Sequence, residues 1–176
     1  MIVLVIVAGA GFFIFILYAT VKTKSTSIEA YAPFNEFVGK TLTLQRETVL
    51  FREKMPTYDN SAYPDILLDN KHPRWQYIAQ LENLGDIKKI VKFPAGTKFT
   101  AEKAVQYTNG VSGFSYPTIF GTVFYDGTKY KIAYQWGDID ISRSLDKIDK
   151  CWRFHQAPWQ DKQDTAFYTL PKARFW

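Results

Sequence analysis

The pattern of apolar and polar positions divides the chain into two regions. Residues 2–21 contain no charged residue, whereas charged and polar side chains recur throughout the remainder. An α-helix rises about 1.5 Å per residue, so about 20 residues reach across a hydrocarbon layer about 30 Å thick. Residues 1–21 are therefore predicted to be a transmembrane anchor, with Lys22 and Lys24 marking its exit into water.

We expect this anchor to be retained rather than cleaved as a signal peptide. A signal peptide has a positive start, an apolar run of about 7–15 residues and then a small-residue cleavage site. Here no Lys or Arg precedes the apolar run, and the small triplet 8–10 lies in its middle. Gly9 and Gly11 are predicted to form a helix-packing face, because small residues let membrane helices approach closely. The alternative is that glycine is simply tolerated in a membrane helix.

The charges that flank the anchor bear on its orientation. Lys22 and Lys24 follow it, and positive charge favours the cytoplasmic side of a membrane. Two charges are a small bias, and the short segment before the anchor is a poor comparison. We expect a single-pass protein of a bacterial inner membrane. The periplasmic side is the preferred location of the domain, and the cytoplasmic side is the alternative.

Beyond the anchor, the pattern predicts a tether and then a β-rich domain. Residues 22–33 are polar and without period, so they read as the tether, and residues 34–176 form the domain. Residues 38–53 alternate apolar and polar positions on either side of a polar break, which indicates a strand pair or one bent strand. Residues 54–74 hold three prolines and several Asn and Asp, which predicts a long irregular loop.

The segment 75–93 fits two patterns at once. Trp75, Ile78 and Leu81 have helical spacing, while Trp75, Tyr77 and Ala79 alternate as in a strand. The helix and strand alternatives therefore stay open for this segment. The turn at 94–97, Pro-Ala-Gly-Thr, is predicted to lead into a new strand that begins at Lys98.

The strongest local signal is a β-hairpin. Asp126-Gly127 separates two runs rich in aromatic and β-branched residues, and Asp-Gly favours a tight hairpin turn. The second run places Tyr130, Ile132, Tyr134 and Trp136 on one face, as expected of a half-buried antiparallel strand. The period then changes, and residues 141–152 are predicted to form a short amphipathic helix with Ser142 as its N-cap.

The predicted fold is mainly β: a small antiparallel SH3-like barrel or curled sheet with one short amphipathic helix, preceded by the anchor. The segments "VGKTLTLQRETVLFRE" and "KFPAGTKFTAEKA" resemble parts of bacterial SH3-like barrels, in which a later strand follows a Pro-x-Gly-Thr turn. The resemblance covers about half of the soluble part. The loop 54–74 and the tail after Gly137 depart from it. It implies a binding role, because SH3-like modules of bacterial envelopes are commonly binding domains.

Composition narrows the classes of protein. Aromatic residues make up 17% of the chain, which argues for a sizeable core and against disorder. The net charge of +5 suits anionic lipid headgroups, an acidic protein or an anionic polymer. Nucleic acid is not expected, because the Lys and Arg residues are scattered and no basic helix is visible. The single cysteine excludes an intramolecular disulfide.

Candidate catalytic and metal-binding residues are few. Cys151 and His155 lie four apart, and a second group lies in the predicted loop: Asp59, Asp65, Asp69 and His72. Neither group has the spacing of a nucleophile motif, an EF-hand or a zinc site. Nucleotide-binding and serine-hydrolase motifs are not found either. No catalytic residue, metal or cofactor is therefore predicted, and a Cys-dependent hydrolase is the least favoured reading.

Aromatic residues in the predicted loops and tail are the preferred candidates for partner binding. Tyr, Trp and Arg dominate binding hot spots, although aromatics also close the cores of small barrels. The predicted partner-binding residues are Tyr58, Tyr63, Trp75, Tyr77, Trp159 and Trp176. The function expected is a membrane-anchored, non-enzymatic binding domain for a protein partner or envelope polymer, with a toxin-neutralising immunity protein as one version. The alternative is a structural or assembly subunit of a membrane complex.

Overall fold

The structure is a computed structural model, and it describes residues 2–54 and 61–171; within the first helix, side chains are described for Val7 and from Gly9 onward. Tyr58, Asp59 and Trp176 lie outside the described residues. Helix α1 (Ile2–Val21) forms over the range predicted for the anchor. Across the described residues, no helix combines the length and the apolar character that crossing a membrane requires.

The described residues after α1 form an eight-stranded mixed sheet, a separate two-stranded sheet and short helices. The strands are β1 (Lys24–Ser27), β2 (Thr41–Thr43), β3 (Thr48–Glu53), β4 (Asp65–Leu68), β5 (Ile87–Phe93), β6 (Lys98–Thr108), β7 (Ser115–Tyr125), β8 (Thr128–Gln135), β9 (Asp138–Ile139) and β10 (Trp152–Arg153). The helices are a 3-10 turn (Phe34–Glu36), α2 (Trp75–Leu84) and α3 (Ile141–Leu145).

The main sheet has the strand order β1-β6-β7-β8-β4-β3-β5, with β2 also pairing with β6. Its neighbouring strands pair antiparallel except for β4 and β8, which are parallel. The predicted antiparallel sheet therefore differs from the structure at this one parallel pair. The mainly β prediction is confirmed, and a curled sheet agrees with the structure, whereas an SH3-like fold is not established.

Strand β4 was predicted to be part of an irregular loop. Its four residues are all buried, since one face packs against the core and the other lies under α2. A strand buried on both faces has no apolar–polar alternation, so the alternation test does not detect it.

The hairpin and the ambiguous segment both have simple local causes. The β7–β8 turn places Asp126 at φ 48° and Gly127 at φ 71°, and a two-residue turn of this kind needs positive φ at both positions. The segment 75–93 contains a helix and then a strand. Gly85 ends α2 with φ 75°, where glycine has no steric penalty, and β5 follows.

Three expected elements differ from the structure. Strand β1 lies inside the segment predicted to be a tether, and it pairs with β6. Strands β2 and β3 do not pair with each other, because β2 joins β6 while β3 lies between β4 and β5.

The third difference is the helix predicted over residues 141–152. Only Ile141–Leu145 is helical, and its N-cap is Asp140, whose carboxylate accepts from the backbone N–H of Arg143 at 3.0 Å. Lys147 has φ 59°, which is unfavourable in a right-handed helix, and the chain then enters β10. Ile141 and Leu145 are exposed, so this helix does not bury an apolar face.

The two faces of the sheet are packed differently. The face called here the inner face carries the main core, which is rich in aromatics: Phe34, Phe93, Phe99, Tyr134, Trp136, Phe154 and Trp159. Phe93 of the edge strand β5 contacts Tyr125 and Tyr130 of the β7–β8 hairpin at centroid distances of 5.5 and 5.4 Å, so the sheet curls around this core. The opposite, outer face is covered over β3, β4 and β5 by α2.

Candidate binding surface and buried polar cluster

A group of tyrosines and lysines lies on the outer face beside the part that α2 covers. Alternation along β6, β7 and β8 points Lys103, Tyr107, Tyr116 and Lys131 to this face. The loop residue Tyr63 packs on Phe120 there at a centroid distance of 4.9 Å. The five side chains that we call the tyrosine–lysine surface are half-buried: Tyr63, Lys103, Tyr107, Tyr116 and Lys131.

The ammonium groups of this surface are held over an aromatic ring. Lys103 Nζ lies 4.8 Å from the Tyr63 ring centroid, and Lys131 Nζ lies 5.1 Å from it. Cations within about 6 Å of a ring centroid are attracted by its π-electrons. The register shift between Ala101 and Lys103 places Lys103 opposite Phe120, so the bulge in β6 helps to aim this lysine.

Glu102 ties the same surface together. Lys131 Nζ donates to its two carboxylate oxygens at 2.9 and 2.7 Å, Tyr63 Oη donates at 2.6 Å, and Thr122 also donates. Burial raises the pKa of Glu102, but the hydrogen bonds from Lys131, Thr122 and Tyr63 outweigh burial and lower its pKa to about 2. Burial and the bond to Glu102 raise the pKa of Tyr63 to about 12. At neutral pH the carboxylate is therefore charged and the phenol neutral.

A second polar cluster contains both histidines of the chain. The His72 and His155 rings are 4.6 Å apart between centroids, and Tyr134 Oη lies 3.0 Å from His155 Nε2. The backbone N–H of Arg74 donates to His72 Nδ1 at 3.1 Å, so the proton sits on Nε2, which donates to the Gln135 carbonyl at 2.9 Å. These two hydrogen bonds therefore fix the position of the His72 ring against the end of β8.

Both histidines are neutral at physiological pH. Burial lowers the pKa of His72 to about 4. Burial, and then the proximity of His72 and of the Arg46 guanidinium, lower the pKa of His155 to about 3. The cluster thus links β8 to the segment after β10 through uncharged imidazoles. Its chemistry is that of a structural hydrogen-bond network.

The cysteine–histidine pair weighed from the sequence is not brought together as a nucleophile and its base. His155 contacts Tyr134 and His72, whereas Cys151 lines a cleft of about 310 Å³ with residues that include Lys24 and Ser144. Burial raises the pKa of the Cys151 thiol. A catalytic cysteine needs the opposite shift, toward thiolate.

Two described carboxylates of the predicted loop, Asp65 and Asp69, are paired with arginines. Arg52 makes a two-fold contact with Asp65 at 2.6 and 2.9 Å, and Arg46 pairs with the buried Asp69. Over residues 2–54 and 61–171, no group of three or more His, Cys, Asp or Glu side chains is arranged to hold a metal ion.

The aromatic residues predicted to bind a partner are not gathered on one surface. Tyr63 belongs to the tyrosine–lysine surface, but Trp159 is buried in the inner core, 5.0 Å from the Tyr134 ring. Trp75 packs on Phe51 under α2, and Tyr77 on the same helix is exposed. Trp159 is therefore a core residue, which is the alternative role considered for these aromatics.

Four of the five residues of the tyrosine–lysine surface were not predicted from the sequence. Tyr107 and Tyr116 are opposite each other in the β6–β7 register. Lys103 and Lys131 lie on the same face of the sheet. The alternation of Lys103, Val105 and Tyr107 is visible in the sequence. Which face stays accessible depends on the strand order, which the sequence pattern does not specify.

The two glycines predicted to pack against another helix lie on an open part of α1. Gly9 and Gly11 are exposed, and a β-carbon added at either position would meet nothing within 4 Å. Helix contact at these positions stays a prediction.

No model of a protein family, no curated protein and no solved structure matches this chain.

Proposed function

We propose that this protein is a membrane-anchored, non-enzymatic binding domain that recognises a protein partner through the tyrosine–lysine surface. Helix α1 is the anchor, and the mixed sheet presents the surface. Neutralisation of a toxin, as by an immunity protein, is a specific version of this role, and recognition of an envelope polymer through the same surface is the alternative to a protein partner.

The anchor is supported by the exposure of apolar side chains on consecutive positions of α1. The series Phe12, Phe13, Ile14, Phe15, Ile16, Leu17 and Tyr18 is exposed throughout. Seven consecutive positions go fully around a helix, so α1 has no polar face at this level. A helix that is apolar on all sides is stable only when lipid or protein surrounds it. The lysines at 22 and 24 follow directly, where such a helix would return to water.

The observation that carries the binding role is a half-exposed surface whose side chains are already held in place. Two ammonium groups lie over the Tyr63 ring, and Glu102 fixes both Lys131 and Tyr63 by hydrogen bonds. Aromatic and cationic side chains supply much of the energy at protein interfaces, and rigid ones lose less entropy on binding.

Site-specific photo-crosslinking in intact cells tests the binding role. A photoreactive phenylalanine at Tyr116 is expected to give a discrete crosslinked product. The same residue at the exposed Leu84 of α2 is the matched control and is expected to give none. Adding Lys103→Ala and Tyr107→Ala is expected to reduce the product about tenfold, equivalent to about 1.4 kcal/mol. Equal crosslinking at both positions, or no product at Tyr116, would overturn the proposal.

The side of the membrane on which the domain lies decides between versions of this role. Fusing a reporter active only in the periplasm, or one active only in the cytoplasm, after the C-terminal residue distinguishes the two. We expect periplasmic activity. Cytoplasmic activity would agree with the charge bias of the lysines and remove both the envelope-polymer and periplasmic-toxin versions.

A structural subunit of a membrane complex is the second candidate, because Gly9 and Gly11 lie open on α1. Replacing both by leucine is expected to dissociate the complex if this candidate is right. A complex that keeps its size on a native gel would count against it.

A further inference from the structure

The loop between β6 and β7 lies against the end of α1. A β-carbon on Gly110 would be 2.5 Å from the Thr20 carbonyl oxygen and 2.7 Å from that of Lys22. Glycine therefore permits a close approach of the loop backbone to the last turn of the helix.

Strand pairing explains this contact. Strand β1 begins at Lys24, three positions after α1 ends, and Lys24 is opposite Thr108 at the end of β6. Because β1 and β6 are antiparallel, β6 runs back toward α1 and the hairpin turns beside it. The β6–β7 hairpin therefore has its tip at the level where the proposed anchor ends.

This tip exposes two apolar side chains from an ordered loop. Val111 is 76% and Phe114 is 63% exposed. The Asn109 side-chain oxygen accepts the backbone N–H groups of Val111 and Ser112 at 2.9 and 2.8 Å, and the Asn109 N–H donates to the Phe114 carbonyl at 2.8 Å. The loop thus holds the two side chains outward in a fixed conformation.

We propose that the β6–β7 tip, residues 109–114, lies in the interfacial layer of the bilayer, where Val111 and Phe114 contact phospholipid beside α1. This inference rests on the proposed function, because it takes α1 as the anchor. Lipid is the occupant we commit to, because the tip is continuous with the end of α1. Tyr18 on the last turn of α1, with the Lys22 ammonium 5.6 Å from its ring centroid, has the amphipathic character found at membrane interfaces.

Two attachments fix the domain relative to the membrane, whereas one helix alone would leave it free to rotate. The paired residues Tyr107 and Tyr116 are next to the pair Thr108 and Ser115, from which the tip begins. One end of the tyrosine–lysine surface is thus held near the headgroups. A partner recognised there would be a protein at the membrane surface.

Depth-dependent fluorescence quenching tests this inference on the full chain. A Cys151→Ser background carries one added cysteine at a time, labelled with an environment-sensitive fluorophore: Val111→Cys or Ser112→Cys at the tip, Ile14→Cys in α1, or Phe124→Cys as control. Phe124 is 68% exposed and lies on β7, the strand that follows the tip, about 30 Å along the strand from Ser115 at about 3.3 Å per residue. The variants are placed in vesicles of phosphatidylcholine and phosphatidylglycerol, with nitroxides near the headgroups or near the chain ends.

The inference predicts that headgroup-level nitroxides quench the labels at both tip positions, and that aqueous iodide quenches only the label at 124. Quenching of label 14 by chain-end nitroxides, with both tip labels open to iodide, would overturn the inference while leaving the anchor in place. Failure to quench label 14 with any lipid nitroxide would overturn the anchor itself. Matching circular dichroism melting curves for all variants ensure that the comparison is made between folded proteins.

Discussion

Phenylalanine has opposite environments in the two regions of this molecule. On α1, Phe13 is 61% exposed and its neighbours Phe12 and Phe15 are exposed too. In the sheet domain, Phe34 and Phe99 are completely buried, and Trp159 and Trp136 pack around them. Phenylalanine side chains are therefore buried in the protein core in the sheet domain but exposed at the protein surface on α1.

If α1 is the anchor, as proposed, the two regions are stabilised by different surroundings. The domain has its own core, so its folding needs only water outside. The apolar side chains at positions 12–18 of α1 are exposed, and burial of such a surface is worth about 25 cal/mol per Å². In the proposed function a bilayer would provide that burial. Changes in the two regions should therefore affect different measurements.

The largest predicted effect is on the domain core. Phe99→Ala removes a fully buried ring that stacks near Trp159, and large-to-small changes of this kind cost about 3–5 kcal/mol. The free energy of unfolding, measured with denaturant on the full chain in detergent micelles, should fall by that amount. Phe13→Ala is the matched control and should leave the free energy of unfolding unchanged. An equal loss from both variants would contradict the difference between the two regions.

Gly121→Ala should have the next largest effect. A β-carbon there would lie 2.2 Å from the Thr100 carbonyl oxygen and 2.3 Å from the Phe99 ring. Overpacking of this kind costs about 1–3 kcal/mol. Gly11→Ala on α1, where a β-carbon meets nothing within 4 Å, should change the unfolding free energy by less than about 0.5 kcal/mol. If Gly121→Ala unfolds at the same temperature as the wild type, the close contact between β6 and β7 at this position would be contradicted.

The buried histidine pair should make the domain sensitive to acid. The folded pKa values, about 4 for His72 and about 3 for His155, lie below the ordinary value of 6.5. The unfolded chain therefore binds protons first, and stability is lost as the pH falls from about 6.5 toward 4. His155→Gln cannot be protonated and should roughly halve this slope in denaturant titrations. Because neither group lies in α1, micelles and vesicles should give the same slope; an unchanged slope in the variant would contradict this origin.

The smallest predicted effect is at the tyrosine–lysine surface. The pKa of Glu102 is lowered to about 2, so its contribution is present above the ordinary value of 4.5 and is lost as the pH falls from there toward 2. Glu102→Gln should cost about 1 kcal/mol or less at neutral pH, since the pair with Lys131 is partly exposed.

Glu47→Gln is the control for this smallest effect, because its pair with Lys92 is the more exposed of the two. Its expected cost in denaturant unfolding is near zero. A larger loss from Glu47→Gln than from Glu102→Gln would show that Glu102 does not organise its surface.

Local signals in the sequence predicted the elements that local chemistry determines. The Asp126-Gly127 hairpin and the strand from Lys98 were found in this way, and so was the helical span of α1. Strand β4 was missed, because burial on both faces removes its alternation. The helix predicted after Asp140 was too long. Ile148 and Trp152 continue a helical spacing in the sequence, although the chain turns at Lys147.

The candidate site was harder to predict because it is assembled by long-range pairing. Tyr63 comes from a loop, Lys103 from β6 and Lys131 from β8, and only the strand order brings them together. Trp159 was chosen for its place in the tail, but tertiary packing buries it. Aromatic content alone does not distinguish a core residue from a binding residue.

Alkaline carbonate extraction of cell membranes tests the anchor most directly. Carbonate releases proteins held by surface contacts and leaves those held by a helix in the hydrocarbon layer. The full chain should remain in the membrane pellet, and the Ile14→Lys, Leu17→Lys double variant should move to the supernatant, because charges within the layer are costly. A wild-type chain recovered in the supernatant would contradict the proposal that α1 anchors this protein.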